Sequence, residues 1–373
     1  DGDDGDDDPT DGQPANWFLG IELGTTGMSA VLMNQLGDQV NPLCWTIAGD
    51  DEANRFRLPA VAQVESQHPQ QVGQLGAVGP AVLQATDEYL RAIKPLLKIG
   101  IPHGTSGEPW VQWSDQVAVP LITVQSALSQ LLTTLSADRM SCRAVGLKST
   151  ALKRILNDLR GVVVGYPNNS PDTFRFNIRE AILAAGLVQN DDQVVFIDEA
   201  IAALLSALPD PQVETEDLDE QQPGLYNCNW SGGTVVISAG STLTEAAIVD
   251  LPAELDQLQY SDFVLRSFTY AGDSLDQDIV IQLMHLPVQA AIDNQAMSGA
   301  ADAMTNSWQS LGLDQLPLPQ PGEADRVKRH RLRQRLNSSP MGRQALAAAR
   351  ELKLALQEDN EYDLTLADQV WTI

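Results

Sequence analysis

Short apolar runs rich in β-branched residues alternate along this chain with longer segments in which apolar residues recur every three or four positions. The short runs end at Gly, Pro or Asn and predict strands. These strands cover residues 17–23, 28–36, 161–166, 193–197, 234–238, 243–251 and 263–270. The longer segments predict helices, which cover residues 122–135, 170–186, 200–208, 325–336 and 341–357. Ser170 is the predicted cap of the second helix and Gly186 its stop.

The first two strands are joined by Gly24, Thr25, Thr26 and Gly27. Glycine adopts positive φ and lets a backbone approach a ligand closely, while threonine hydroxyls add hydrogen-bond donors beside the backbone amides. The pattern is typical of a phosphate-binding hairpin. A tight hairpin turn also needs glycines for steric reasons alone, so this alternative stays open.

A second strand–turn–strand unit, residues 233–251, is similar and carries Gly240, Ser241 and Thr242 at its turn. Between the two units, residues 159–208 hold the runs Gly-Val-Val-Val-Gly-Tyr-Pro-Asn-Asn and Val-Val-Phe-Ile-Asp-Glu-Ala. Residues 270–280 and 343–357 follow, with the basic helix 325–336 between them. In this order, the segments resemble the ATPase domain of the DnaK-type 70-kDa heat-shock chaperones.

The resemblance implies an α/β, two-lobed actin-like (ribonuclease H-like) nucleotide-binding fold whose second lobe is truncated. The expected domains are a disordered acidic tail (1–15), lobe I (16–208) with a peripheral subdomain near 37–120, an acidic linker (209–223), and lobe II (224–373) with a distal subdomain from 271. A low content of groups that can be buried is the reason to expect disorder in the tail. Its Asp/Gly alternation does not follow a calcium-loop pattern.

The resemblance also implies ATP or ADP as ligand, with Mg²⁺ as a possible companion, and Glu22 and Glu199 as catalytic carboxylates. The implied nucleotide-binding residues are Gly24, Thr25, Thr26, Gly27, Gly240, Ser241, Thr242 and Lys353. Each has a structural alternative: Glu22 as a surface carboxylate, Glu199 as a helix N-terminal charge, Ser241 and Thr242 as turn residues, and Lys353 as a solvated side chain.

The chain departs from the family at charged positions. The second hairpin has Ser238 where the family has Asp, and Arg350 stands where the family has Glu. The family's catalytic lysine should come just after the Gly73 region, where this chain has no lysine. Lys94 and Lys98 lie further on, without a clear alignment. Phosphoryl transfer depends on positioned charges, and losing one stabilising donor costs about 10²–10³ in rate. The sequence therefore predicts at most a slow ATPase.

These departures leave three functions open. The favoured one is a divergent chaperone-like nucleotide-binding protein with weak or no hydrolysis. The alternative is a non-enzymatic scaffold or assembly factor that has lost nucleotide binding. A small-molecule kinase is disfavoured because the second hairpin lacks a carboxylate base.

Composition and charge narrow the classes of molecule that this chain could bind. A formal charge of −27 opposes nucleic-acid and anionic-membrane binding, and no apolar run reaches the length of a membrane span. We expect a cytoplasmic protein with a protein partner. The basic cluster at 326–335 is interpreted as a solvated helix face, with docking of an acidic partner or of the chain's own acidic segments as alternatives. The scattered cysteines and histidines are interpreted as structural; they are Cys44, Cys142, Cys228, His68, His103, His285 and His330.

Overall fold

The computed structural model describes residues 16–35, 39–45, 55–65, 74–78, 89–91, 93–98, 109–112, 118–208, 231–254, 257–287, 308–309, 311–366 and 369–372. The predicted acidic tail (1–15) and linker (209–223) lie outside these residues, as do His68, His103 and Cys228. The predicted limits of the two lobes stay predictions.

The strands fall close to their predicted positions. Those predicted at 17–23 and 161–166 have these bounds in the structure, and the other five differ by at most two residues at either end. The strands are β1 (Trp17–Leu23), β2 (Gly27–Asn34), β3 (Gln39–Trp45), β4 (Leu58–Pro59), β5 (Val61–Glu65), β6 (Gln74–Val78), β7 (Tyr89–Arg91), β8 (Trp110–Gln112), β9 (Ala118–Pro120), β10 (Cys142–Ala144), β11 (Gly161–Tyr166), β12 (Val194–Asp198), β13 (Gly232–Ala239), β14 (Thr244–Leu251), β15 (Val264–Phe268), β16 (Asp363–Leu366) and β17 (Gln369–Thr372).

The five predicted helices are also present, each with ends shifted by one to three residues. The helices are α1 (Ile93–Leu96), α2 (Leu121–Thr133), α3 (Ser149–Asn157), α4 (Asp172–Ala184), α5 (Glu199–Leu205), α6 (Gly272–Ile279), α7 (Arg326–Asn337) and α8 (Pro340–Ala355). A π-helical segment, Val280–His285, continues α6. Within the described ranges, no helix combines the length and the hydropathy needed to cross a bilayer.

The largest sheet, sheet A, has the order β10-β3-β2-β1-β11-β12. Strands β1, β2 and β3 form an antiparallel meander, whereas β11 lies parallel to β1 and β12 parallel to β11. A meander flanked by parallel strands on the side of its first strand is the ribonuclease H-like arrangement of an actin-like lobe. The predicted α/β, actin-like fold class is therefore confirmed.

Two helices cover sheet A and complete its core. Helix α2 packs against α4, and its predicted apolar stripe is buried, with Val124, Leu128 and Leu131 fully inaccessible. Phe174 and Ile178 of α4 join the same cluster. Burial of each such side chain contributes about 1.5–3 kcal/mol, so this cluster fixes the sheet that carries the first hairpin.

Two predictions for lobe I are wrong: the cap of α4 and the assignment of residues 39–45. Ser170 does not cap α4: Pro171 is the N-cap residue, and the Ser170 hydroxyl is buried without a hydrogen-bond partner in the described structure. Pro171 has the extended ψ of 158°, so the first helical residue is Asp172 and Ser170 lies one residue before the cap position. The stop at Gly186 is confirmed, with φ 71°. Residues 39–45, predicted in the peripheral subdomain, form β3 and belong to sheet A.

Sheet B repeats the meander of sheet A. It has the order β13-β14-β15, with antiparallel pairing throughout. Helix α5 packs against β13 and β14 and contributes Leu204 to a cluster with Val249 and Leu251. Helices α6, α7 and α8 form a separate apolar cluster that includes Met284, Leu336 and Ala349. The meander of sheet B thus presents the second hairpin as sheet A presents the first.

The basic helix α7 is not simply a solvated face. Arg329 is 2% exposed, and its Nη1 atom lies 2.6 Å from Asp278 Oδ1. Arg333 pairs with Asp273 at 3.4 Å, and Lys328 pairs with Glu323 at 2.9 Å. A buried guanidinium needs such partners because its desolvation is costly. The helix therefore docks on the chain's own acidic groups, which was the alternative interpretation.

Cys44, Cys142 and His285 pack as core residues, whereas His330 is exposed on α7. Cys44 and Cys142 are free and buried on the neighbouring strands β3 and β10. Burial raises the pKa of the Cys142 thiol to about 12, so this thiol stays protonated and unreactive. The His285 ring lies 6.1 Å from the Trp308 ring, and burial lowers its pKa.

Candidate functional site

The two hairpin turns have the same geometry. The Gly24 amide donates to the Gly27 carbonyl at 2.9 Å, and the Gly240 amide donates to the Leu243 carbonyl at 2.9 Å. Each turn therefore carries two hydroxyl residues at its tip. The tips meet, with 3.0 Å between Thr25 Oγ1 and Thr242 Oγ1. The structure thus brings the two predicted hairpins into one crevice.

The glycines of these turns serve close packing. The positive-φ expectation is wrong: neither Gly24, Gly27 nor Gly240 is among the glycines with positive φ. A β-carbon on Gly24 would lie 3.0 Å from the Gly27 carbonyl oxygen, and one on Gly27 would lie 2.9 Å from the Leu58 carbonyl oxygen. The neighbouring backbone lies too close to Gly24 and Gly27 for a side chain to fit. Glycine is therefore needed at these positions for steric reasons and not for a positive φ.

Four backbone amides at the two tips have no protein acceptor within the described residues, although Thr25 itself is only 7% exposed. Within the described part of the chain, the amides of Thr25, Thr26, Ser241 and Thr242 donate no hydrogen bond to a protein acceptor. Successive amides at a turn make a concave site for an anion. Because the tip hydroxyls of Thr25 and Thr242 are only 3.0 Å apart, one bound anionic group could contact both tips together.

Glu22 lies at the end of β1, directly before the first turn. Its carboxylate pairs with Arg57 at 2.9 Å, and both side chains are about half exposed. The Arg57 Nη2 atom also lies 3.4 Å from Thr26 Oγ1. The sequence prediction missed Arg57. The available signal was an arginine in an acidic chain, two residues before the proline of β4.

Glu199 is the first residue of α5, and it forms an ion pair with Lys94 of α1. The Lys94 side chain is only 10% exposed and that of Glu199 is 21% exposed. The neighbouring Asp198 caps α5 by accepting from the Ala200 amide at 3.1 Å. The negative charge of Glu199 is therefore neutralised by Lys94. The sequence prediction assigned Lys94 no role in the site.

Glu245 of β14 is a third carboxylate in this region, which the sequence prediction also missed. It is 3% exposed and accepts a hydrogen bond from the Asn168 amide at 2.6 Å, which links sheet B to the end of β11. Burial, and then the negative charge of Glu199, raise its pKa to about 7. The signal in the sequence was a glutamate at a buried position of an alternating strand.

The raised pKa of Glu245 predicts that stability falls as pH rises. The folded state holds its proton up to about pH 7, whereas an ordinary glutamate loses it near 4.5. The stabilising contribution is therefore present below pH 4.5 and lost as pH rises through 7. Glu245→Gln should unfold with the wild-type free energy at pH 4.5 and be more stable by about 1–3 kcal/mol at pH 8, as measured by urea unfolding. Equal stability at pH 8 would contradict the assignment.

The second hairpin is fixed on the start of α6. The Gly272 amide donates to the Gly240 carbonyl at 3.1 Å, the Asp273 amide donates to the Ser241 carbonyl at 2.8 Å, and the Ser241 hydroxyl donates to the Asp273 carboxylate. The predicted nucleotide ligand Lys353 lies next to this junction. Its Nζ atom is 2.5 Å from Asp276 Oδ1 and 3.3 Å from the Gly272 carbonyl oxygen. Ser241 and Lys353 are therefore held by protein partners.

The residues fit a polyphosphate better than they fit Mg²⁺. Magnesium binds one or two carboxylates together with phosphate oxygens. The two predicted carboxylates, Glu22 and Glu199, are each paired with a cation of this chain. The described residues contain no group of three or more His, Cys, Asp or Glu side chains placed to hold a metal.

A groove of about 410 Å³ lies beyond Asp198, between the end of sheet A and the turn before β15. The hairpin residues do not line it. Its walls are mainly apolar and include two tyrosines; they are Tyr166, Phe196, Ile197, Asp198, Ile201, Leu205, Leu258, Gln259, Tyr260 and Phe263.

Comparison with known proteins finds similarity to solved structures. No protein-family model matches the chain, and no curated protein matches it. The chain is similar to the crystal structure of MreB5 of Spiroplasma citri bound to ADP, with 16% sequence identity and a TM-score of 0.38. The match covers 72% of this chain and 57% of the MreB5 chain, so it spans little more than half of that protein.

Proposed function

We propose that this chain binds a nucleoside polyphosphate, ATP or ADP, between its two hairpins, as a divergent relative of the DnaK-type chaperone ATPases. The observation that carries the proposal is the pair of matching turns, whose tips meet at Thr25 and Thr242 and whose four tip amides donate to no protein acceptor among the described residues. Successive amides and hydroxyls at a turn of this kind are a general type of phosphate-binding site.

Turnover is proposed to be slow or absent. Hydrolysis needs a positioned water, charge neutralisation and, in most such enzymes, a metal. Glu22 and Glu199 are both engaged in ion pairs, and the second hairpin has Ser238 in place of a carboxylate. The chaperone-like role and a protein partner rest on the order of the sequence segments, and we keep them as part of the proposal.

A non-enzymatic scaffold is the second candidate, and the internal pairing of the cleft favours it. Lys94, Lys353 and Thr25 each contact a protein group that a bound nucleotide would compete with. In that case the contacts between the hairpins would hold the two sheets together in place of a ligand.

Thermal and chemical unfolding with ADP or ATP separates these candidates. A ligand that binds only the folded state stabilises it by about 2.7 kcal/mol when present at 100 times its Kd. We expect this stabilisation with ADP and ATP and none with adenosine, which lacks phosphates. Phosphate release from ATP should be slow. Unchanged unfolding with all three compounds would favour the scaffold.

A further inference from the structure

Arg57 lies directly on the first hairpin. Its chain segment runs against β2, with Leu58 opposite Met28 and the Ala60 amide bonded to the Thr26 carbonyl at 3.1 Å. A β-carbon on Gly24 would lie 2.3 Å from Arg57 Nη2, and one on Gly27 would lie 2.7 Å from Nε. The guanidinium therefore packs on the turn backbone in the space that the two glycines leave open.

The guanidinium keeps donors available for a ligand. It has five N–H donors, and within the described residues its hydrogen bonds go only to Glu22 and Thr26. Its side chain is 47% exposed. Arginine matches phosphate geometry with paired N–H groups and keeps its charge at any physiological pH.

The position of the Arg57 guanidinium also disfavours a metal ion at Glu22. The carboxylate already pairs with Arg57 at 2.9 Å, so a divalent cation bound to it would lie within a few ångströms of a guanidinium. Like charges at that separation repel. In this arrangement the positive charge near the phosphates would come from the Arg57 guanidinium.

We propose that Arg57 binds the phosphates and that nucleotide binding does not require Mg²⁺. This inference rests on the proposed function, because it concerns the ligand of the same crevice. Arg57 is a phosphate-binding residue, and Glu22 is its counterion in the free protein. Glu22 then competes with the nucleotide for the guanidinium.

Isothermal titration of the whole chain with ADP, in EDTA and in excess Mg²⁺, tests the inference. We expect similar affinity in both conditions. Arg57→Gln should weaken binding about tenfold or more, since a hydrogen bond to a charged group is lost. Arg57→Lys should keep part of the affinity. Arg331→Gln, at an exposed arginine of α7, is the matched control and should bind like the wild type.

Glu22→Gln gives a test of opposite sign. If Glu22 is only the counterion of Arg57, this variant should bind ADP several-fold more tightly in EDTA. Weaker binding by Glu22→Gln, or binding that needs Mg²⁺ and ignores Arg57→Gln, would overturn the inference while leaving the proposed function intact. No binding of ADP by the folded wild type under either condition would overturn both. Circular dichroism checks that each variant is folded.

Discussion

Gly24→Val should lower the affinity for ADP by about 100-fold, since two or more hydrogen bonds to charged phosphate oxygens would be lost. Its β-carbon would lie 2.3 Å from Arg57 Nη2, 2.9 Å from Glu22 Oε1 and 3.0 Å from the Gly27 carbonyl oxygen, so the variant disturbs both the turn and the guanidinium. The backbone oxygen has no freedom to move without opening the hairpin. Titration with ADP measures the loss.

Gly233→Val is the control for that variant. Gly233 lies on β13 of sheet B, and a β-carbon there would meet no atom within 4 Å. We expect wild-type affinity. If both valine variants bind ADP as the wild type does, the first hairpin does not contact the ligand.

Arg329→Met should reduce the free energy of unfolding by about 3–5 kcal/mol, because it leaves a buried carboxylate without its cation. Arg329 bonds Asp278 at 2.6 Å and also donates to the carbonyl oxygens of Ser274, Gln320 and Glu323. These contacts join α7 to α6 and to the loop that precedes α7. Urea unfolding measures the change.

Two further variants show whether the buried charge is the cause. Arg331→Met changes an exposed arginine of the same helix and should alter stability by less than about 0.5 kcal/mol. Adding Asp278→Asn to Arg329→Met should recover part of the loss, because the amide oxygen can still accept from the Tyr270 hydroxyl and the Gly322 amide. A double variant less stable than Arg329→Met would contradict this explanation.

The sequence predicted the elements well because the signals for them are local. The strands β1 and β11 have continuous apolar or alternating patterns, and the Ala/Leu-rich stretch of α8 has a strong intrinsic helix preference. The predicted Ser170 cap was wrong because Pro171 is extended, with ψ 158°, and residue types alone do not determine this angle. The order of the segments was enough to predict an actin-like fold.

The pairings within the candidate site could not be predicted because they join distant parts of the chain. Glu22 meets Arg57 across 35 positions, Asn168 meets Glu245 across 77, and Lys94 meets Glu199 across 105. No periodic pattern encodes such contacts. The basic helix illustrates the same limit: its charge pattern looks solvated, yet the fold turns Arg329 onto a buried carboxylate.

Amide chemical shifts of both hairpins during titration with ADP test the central claim most directly. In the ¹⁵N-labelled protein, the amides of Thr25, Thr26, Ser241 and Thr242 should shift together, with one dissociation constant, and adenosine should leave them unmoved. Shifts confined to one hairpin, or the same shifts with adenosine, would contradict joint binding of the phosphates by the two turns.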